Sequence, residues 1–396
     1  MASFDRRVLR AGLVLLSLSL VRAGTASTAE AAASGPLQPE AAEVAVLPPA
    51  GPHRLLVGGD FRNGDVRVVD GDTGKLQGTF YARAGANLVV DPLGRYYYVA
   101  ETSFAHGNRG ARFDYISVYD EQLRLAGEVP IPGRLLAVTK NPTFDVSADG
   151  RLGYVFNMQP AASVSIVDLV ARKLTAIVET PGCGMVYPWG PAGFAMLCGD
   201  GTLATVQRKK GRFEISRSAQ FFDAERDPVF EESLVDRQSG RALFLSFTGT
   251  VYPVRLGEKP EFETVWTLTD ASGLPPASIQ AEHLAWRPGG SRLAAWHKAT
   301  NRLYVLMHAG THWTHKEPGS EVWVFDIAAH KRVARYPFGG RASSITVSQD
   351  EKPLLFVSAG GPEGPGGHII ILDAKTGEQL REAPGISGNT LQVHGF

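Results

Sequence analysis

A pair of short apolar strands recurs along this chain, and that recurrence limits its fold more than any other feature. The first strand of each pair reads Leu55–Val57, Tyr96–Ala100, Leu152–Phe156, Phe194–Cys198, Ala242–Phe247, Leu303–Met307 and Leu354–Ser358. The second begins near Val66, Ile116, Val164, Leu203, Val251, Val322 and Ile369, often ending in Asp. Most starts lie on the order of 40 to 50 residues apart, the span of a four-stranded propeller blade. The interval before Val322 is longer and must hold an insertion. Turn sequences precede the strands at Asp91-Pro92-Leu93-Gly94, Ala148-Asp149-Gly150 and Gln238-Ser239-Gly240. The segments from Val68 to Lys75 and from Ile371 to Glu378 are near-copies, in which Asp and Thr can hold a turn and Gly supplies a positive φ. With 44 Gly and 25 Pro spread throughout, no sustained helical periodicity follows the N-terminal stretch. The pattern predicts an all-β chain, a seven-bladed β-propeller with four-stranded antiparallel blades over residues 53–396, with six or eight blades as alternatives.

The first 33 residues read as a cleaved signal peptide. Arg6, Arg7 and Arg10 precede an apolar run from Ala11 to Val21, and small residues follow to Ala33. The run is shorter than the ~20 apolar residues a membrane helix needs, and no second stretch is longer, so no membrane span is expected. Arg6-Arg7-Val8-Leu9 also resembles a twin-arginine signal, which leaves the export route open. Residues 34–52, rich in Ala, Pro and Glu, read as an extended arm. Cleavage near Ala33 removes four of 40 basic and two of 40 acidic residues, leaving the mature chain two charges negative. That balance excludes a nucleic-acid footprint; the single basic cluster, Arg208-Lys209-Lys210, reads as a hairpin tip. An exported chain with two cysteines, Cys183 and Cys198, favours a disulfide between them over a metal site, which would want a second nearby pair.

One loop is crowded with functional side chains. Between Leu303–Met307 and Val322–Phe325 lie His308, His312, Trp313, His315, Lys316 and Glu317. Three imidazoles suit zinc or copper, but Gly310 and Pro318 argue against a helix that would align a ligand pair, so no metal is expected. No Gly-x-Ser-x-Gly elbow is present. The Gly-rich run Gly360–Gly367 lacks the Lys-Ser/Thr ending of a phosphate loop. Asp70, Asp120, Asp168, Asp326 and Asp373 recur at one place in successive repeats, which marks turn-formers rather than an acid/base pair.

Several segments, in order, resemble the heavy subunit of the quinoprotein amine dehydrogenases, the group that includes methylamine and aromatic amine dehydrogenases. They are Arg112–Asp120 (RFDYISVYD), Gly182-Cys183 with Cys198-Gly199-Asp200-Gly201, Asp227-Pro228-Val229-Phe230, Trp286-Arg287-Pro288-Gly289-Gly290, RLYVLMH from Arg302 with Thr314-His315-Lys316, EVWVFD from Glu321, and VSQDEKPLL from Val347. The segments around Cys198 and Thr314 are closer to the aromatic-amine branch, and VSQDEKPLL to the methylamine branch. The resemblance implies a seven-bladed propeller with one disulfide, exported to the periplasm, in an assembly of two heavy and two light subunits. It implies that the cofactor, tryptophan tryptophylquinone, and the catalytic base belong to the light subunit, so that this chain carries no catalytic, cofactor-binding or metal residue. The complete enzyme would oxidise a primary amine to aldehyde and ammonia and pass electrons to a cupredoxin such as amicyanin or azurin. Relatives tend to place a phenylalanine at the channel mouth, where this chain has Ala84, with Phe80 and Tyr81 as the neighbouring rings. His312, Trp313 and His315 are then expected to be subunit-contact residues. The alternative is a stand-alone periplasmic propeller that binds a ligand or protein.

Overall fold

The Asp that closes so many strands explains how the chain reverses. In the turn after Asp65–Asp70, the Asp70 carboxylate accepts from Asp72 N at 2.8 Å and from Thr73 Oγ1 at 2.9 Å, and Gly74 takes φ 71°. In its near-copy, Asp373 accepts from Lys375 N at 2.8 Å and Thr376 N at 2.9 Å, with Gly377 at φ 77°. Asp120, Asp168 and Asp326 accept from turn backbone in the same way. These bonds satisfy turn N–H groups that the ladder cannot reach.

The computed structural model describes residues 46–58, 64–83, 85–134, 140–360 and 366–394, and the structural statements below concern those residues. The stretch expected to be a signal peptide, most of the stretch expected to be an arm, Ala84 and the middle of the Gly-rich run lie outside them. The described residues belong to one compact unit, Val46–Phe396. Their strands are antiparallel and each of the first strands read from sequence is present, from Arg54–Gly58 to Leu354–Ala359.

The first sheet orders Thr390–Val393, Arg54–Gly58, Asp65–Asp70 and Leu76–Tyr81. The second is Asn87–Val90, Tyr96–His106, Arg109–Asp120 and Leu125–Pro130; the third is Phe144–Val146, Leu152–Asn157, Ser163–Asp168 and Lys173–Glu179. The fourth is Cys183–Trp189, Gly193–Cys198, Leu203–Lys209 and Arg212–Arg217. The fifth contains Leu234–Val235, Arg241–Leu245, Thr250–Arg255 and Glu261–Phe262, with Trp266–Thr267 also paired to Thr250–Arg255. The insertion expected before Val322 follows, with a short 3-10 helix at Asp270–Ser272.

The remaining strands correct the expectation of seven separate four-stranded blades. Five sheets stand apart as blades; the rest of the chain forms one continuous eight-stranded sheet. The cause is the 17-residue strand Lys331–Val347. Its first half pairs with Gly319–Asp326 and its second half with Leu354–Ala359, so the hydrogen-bonded ladder passes through without a break. The last two strand pairs read from sequence therefore share a sheet.

Apolar side chains fill the space between successive sheets. Val68, Phe80, Leu88 and Tyr97 pack between the first and second, and Leu55, Val57, Phe356 and Ile369 between the first sheet and the eight-stranded one. The sheets thus form a closed ring, with their innermost strands around a central channel. Antiparallel order gives the ring two faces. Asp-closed turns such as Asp70–Lys75 and Asp120–Arg124 lie on one, the turn face. The loops between second and third strands, and the crossovers between sheets, lie on the other, the loop face.

Cys183 and Cys198 form a disulfide between directly opposed residues of adjacent strands. It closes the fourth sheet at its loop-face end, across a sequence separation of 15. Replacing both cysteines by alanine should lower stability by about 3 kcal/mol through the freed unfolded chain. The urea midpoint reads this directly, and an unchanged midpoint would show that the closed loop contributes nothing.

Candidate functional site

The decorated loop, between Arg302–Gly310 and Gly319–Asp326, emerges on the loop face. Trp313 sits at its tip with φ 69°, a left-handed conformation that costs a non-glycine residue on the order of 1 kcal/mol. Its ring is 54% exposed, yet it is not loose. It stands edge-on to Phe247, 6.0 Å between centroids, and lies tilted 4.5 Å from His312. His315 stacks on the same Phe247 at 3.9 Å, and Phe230 packs 4.7 Å from Phe247. An exposed tryptophan is thereby backed by a wall of rings.

The histidines serve this wall. His312 Nε2 lies 2.8 Å from the Arg226 carbonyl, so that nitrogen carries the proton and donates. His308 Nε2 likewise donates to Thr314 Oγ1 at 2.8 Å, since that hydroxyl spends its own proton on the Thr311 carbonyl. His315 sits below the ordinary imidazole range because it is partly buried and close to Lys316. Among the described residues, no three His, Cys, Asp or Glu side chains are grouped so as to hold a metal.

Two supports come from elsewhere in the chain. The Asp227 carboxylate accepts from Ser246 Oγ, Thr248 N and Thr248 Oγ1 at 2.7, 2.9 and 2.7 Å, fixing the turn that carries Phe247. Arg287, 1% exposed, donates to the carbonyls of Gly310 at 3.1 Å, Ser278 at 2.5 Å and His283 at 3.3 Å. It ties the insertion to the start of the loop, and burial lowers its pKa. Gly289 has no room for a side chain: a Cβ there would lie 2.5 Å from the Glu317 carbonyl oxygen and 2.6 Å from the His308 ring. Sequence reading missed Phe247 and the role of Arg287; the signal at hand was that Asp227–Phe230 and Trp286–Gly290 already stood out as segments.

The channel-mouth candidates divide. Phe80 is 6% exposed and belongs to the core, 6.0 Å from Tyr97 and 4.5 Å from Tyr119. Tyr81 is 60% exposed, with the Arg83 guanidinium 5.5 Å over its ring. Ala84 lies outside the described residues. Tyr81 and Trp313 sit on different sheets of the same face and are not brought together. A charged group missed from sequence lies under the neighbouring hairpin. There Arg134 bonds Thr102 at 3.1 Å and the Asn87 side chain, while Asp114 accepts from Thr102 at 2.6 Å. Burial pushes Arg134 down to about 10 against the opposing charges of Asp114 and Glu101. The site is a firm, half-apolar surface with a fixed aromatic ring at its tip.

His308 gives this surface a pH dependence. Burial lowers its pKa to about 4 from 6.5, with Arg341 and Arg287 working in the same direction and Glu317 against. The folded state therefore holds the neutral ring, and the unfolded state takes up the proton first. Stability is fully present above pH ~6.5 and falls by roughly 3 kcal/mol as pH drops to ~4. His308→Gln, which cannot titrate, should lose about that much less between these pH values in chemical denaturation; equal losses in both proteins would refute the assignment.

Comparison with known proteins identifies the family and agrees with an all-β propeller fold. The family model for methylamine dehydrogenase heavy chain (MADH) matches residues 58–393. The methylamine dehydrogenase heavy chain of Paracoccus versutus is 30% identical over 319 residues, covering 79% of this chain and 72% of that one. That of Methylobacillus flagellatus is 28% identical over 329 residues, covering 81% and 80%. Among solved structures, dihydro-heme d1 dehydrogenase NirN superposes with a TM-score of 0.57 at 16% identity, covering 87% of this chain and 76% of that one. The β-propeller domain of Myceliophteria thermophila Cps50 (Swd1) gives 0.52 at 10% identity, covering 79% and 93%. These two speak for the fold alone. With its match running through almost every strand described above, the chain belongs to the methylamine dehydrogenase heavy chain family.

Proposed function

We propose that this chain is the heavy subunit of a periplasmic amine dehydrogenase, paired with a light subunit that carries tryptophan tryptophylquinone. The observation that carries the reading is the family match over residues 58–393. The complete enzyme converts a primary amine and water to an aldehyde and ammonia, releasing two electrons and protons. The quinone supplies the two-electron acceptor, and a cupredoxin such as amicyanin or azurin takes the electrons onward. The assembly contains two heavy and two light chains.

In that assembly the heavy chain is scaffold, channel wall and docking surface. The loop face suits the task. Trp313 offers a large, rigid, amphipathic ring whose conformation is already fixed by Phe247, His312 and His315, so little side-chain entropy is lost on contact. Tyr81, at the end of the first sheet, offers a second exposed ring. Among the described residues, no helix is long and apolar enough to cross a membrane.

Two measurements test the proposal. The chain expressed alone should oxidise no amine with a phenazine acceptor, and activity should appear when its light chain is co-expressed; robust oxidation by the isolated chain would sink the reading. Trp313→Ala should weaken assembly with the light chain by roughly 10- to 100-fold, as loss of a buried aromatic anchor does. His312→Ala with His315→Ala should also weaken assembly or stability. Normal assembly and quinone absorbance with dead turnover would instead place these residues in the chemistry.

A further inference from the structure

We propose that the central channel holds a binding site for a small monocarboxylate, taken through its carboxylate by Arg292. The cavity lies among the innermost strands and is lined by Val186, Leu234, Ala294, Asp145, Arg237 and Arg292, among others. Its volume is about 60 Å³. That is room for a few waters or a two- to three-carbon acid.

Arg292 is the group that calls for a ligand. Its backbone is pinned: its N–H donates to Ser343 O and Ser344 Oγ, and its carbonyl accepts from Ile345 N at 2.9 Å. Its Nε is shielded from solvent and has no protein acceptor. Among the described residues no carboxylate lies within 4 Å of the guanidinium; Glu232 acts on it only at longer range. A shielded guanidinium donor left without an acceptor is costly, and a carboxylate matches its planar fork with two parallel bonds.

The surroundings select the charge and the shape. Asp145 is neutralised by Arg237 through two bonds of 2.6 and 3.3 Å. A monocarboxylate brings one negative charge to the open guanidinium donor, whereas a doubly charged phosphate would bring two into a cavity that already holds the Glu232 carboxylate. The apolar side chains of Val186, Leu234 and Ala294 suit a short alkyl group.

A hollow on the turn face adjoins the cavity, and we place access there. On the loop-face side, Lys140 and Glu231 pair at 2.5 Å, next to the lining residues Pro142 and Glu232. Burial raises the Glu231 pKa, but the Lys140 charge outweighs it and holds the carboxyl below its usual range. On the other side, a second hollow shares Val235 and Arg237 with the cavity and is lined by turn residues Pro92, Ala148, Gln238 and Lys298. A ligand arriving there does not compete with a partner on the loop face, so the site is independent of the proposed light-chain contact.

Calorimetric titration of the purified protein, in its native assembly, with sodium acetate at constant ionic strength tests the site. One saturable site is expected for acetate, none for phosphate or chloride. Arg292→Met should weaken acetate binding roughly tenfold or more, while Arg292→Lys should retain part of it. No saturable acetate binding, equal binding by Arg292→Met, or phosphate binding in place of acetate would each overturn the proposal. Should Arg292→Met not fold, the acetate and phosphate titrations of the unaltered protein decide alone.

Discussion

The ring depends on one strand pairing. Thr390–Val393 supplies the innermost strand of the sheet that begins at Arg54, with Leu55 opposite Val393 and Val57 opposite Leu391. All four of these apolar residues are buried, against Phe356 and Ile369 of the eight-stranded sheet. Fully burying each such side chain is worth about 1.5–3 kcal/mol, and pairing this edge removes an exposed template for aggregation. The cost is entropic, since the pairing closes nearly the whole described chain into one loop. Further ties brace it: His53 lies 2.7 Å from Asp72 and 3.2 Å from Asp350, and Arg381 donates to the Gly71 carbonyl at 2.7 Å. The closure joins the first sheet to the last by backbone, ring packing and charge together.

Closure leaves the two faces with different freedom. On the turn face the reversals are short, and at Asp70, Asp120, Asp168, Asp326 and Asp373 the Asp that ends the strand meets backbone donors of the turn. Little can change there without breaking those bonds. On the loop face the connections are longer, and their shape is set by contacts between loops. The Trp313 loop holds its form because Phe247, Arg226 and Arg287 come to it from other strands and crossovers. A surface with fixed geometry is thus built on the longer connections of a repetitive ring.

How much of this was legible follows from how local each interaction is. Strands and turns could be read because alternation and Asp-Thr-Gly chemistry act within a few residues, as Asp70 and Asp373 show. The merged sheet could not. Pro337-Phe338-Gly339-Gly340 looks like an interruption, yet Gly319 pairs with Ala342 and Ala342 with Ala359, carrying the ladder through. That continuity is decided by which neighbours lie on each side, and no local pattern encodes it. At the site, the histidines and Trp313 stood out because they share one loop. Phe247 and Arg287, which give that loop its rigidity, were silent because their partners lie far away in sequence. Phe80 and Tyr81 differ for the simplest reason: adjacent residues of a strand face opposite ways, so one joins the core and the other meets solvent.

The interior arginines show how differently one charge can be accommodated. Arg134 is buried among polar side chains, with Asp114 and Glu101 supplying opposite charge under the hairpin. Arg287 is equally buried but is met by three backbone carbonyls, which spread partial negative charge around its fork. Both arrangements satisfy most of the guanidinium and fix a segment of chain, so each has a structural reason to exist. Arg292 has neither a carboxylate within ion-pair distance nor a set of carbonyls, and it braces no loop with its side chain. It sits where the innermost strands leave space, beside an Asp145 already claimed by Arg237. A structural role accounts for the first two arginines and not for the third, and a ligand carboxylate is the group whose charge and geometry complete it.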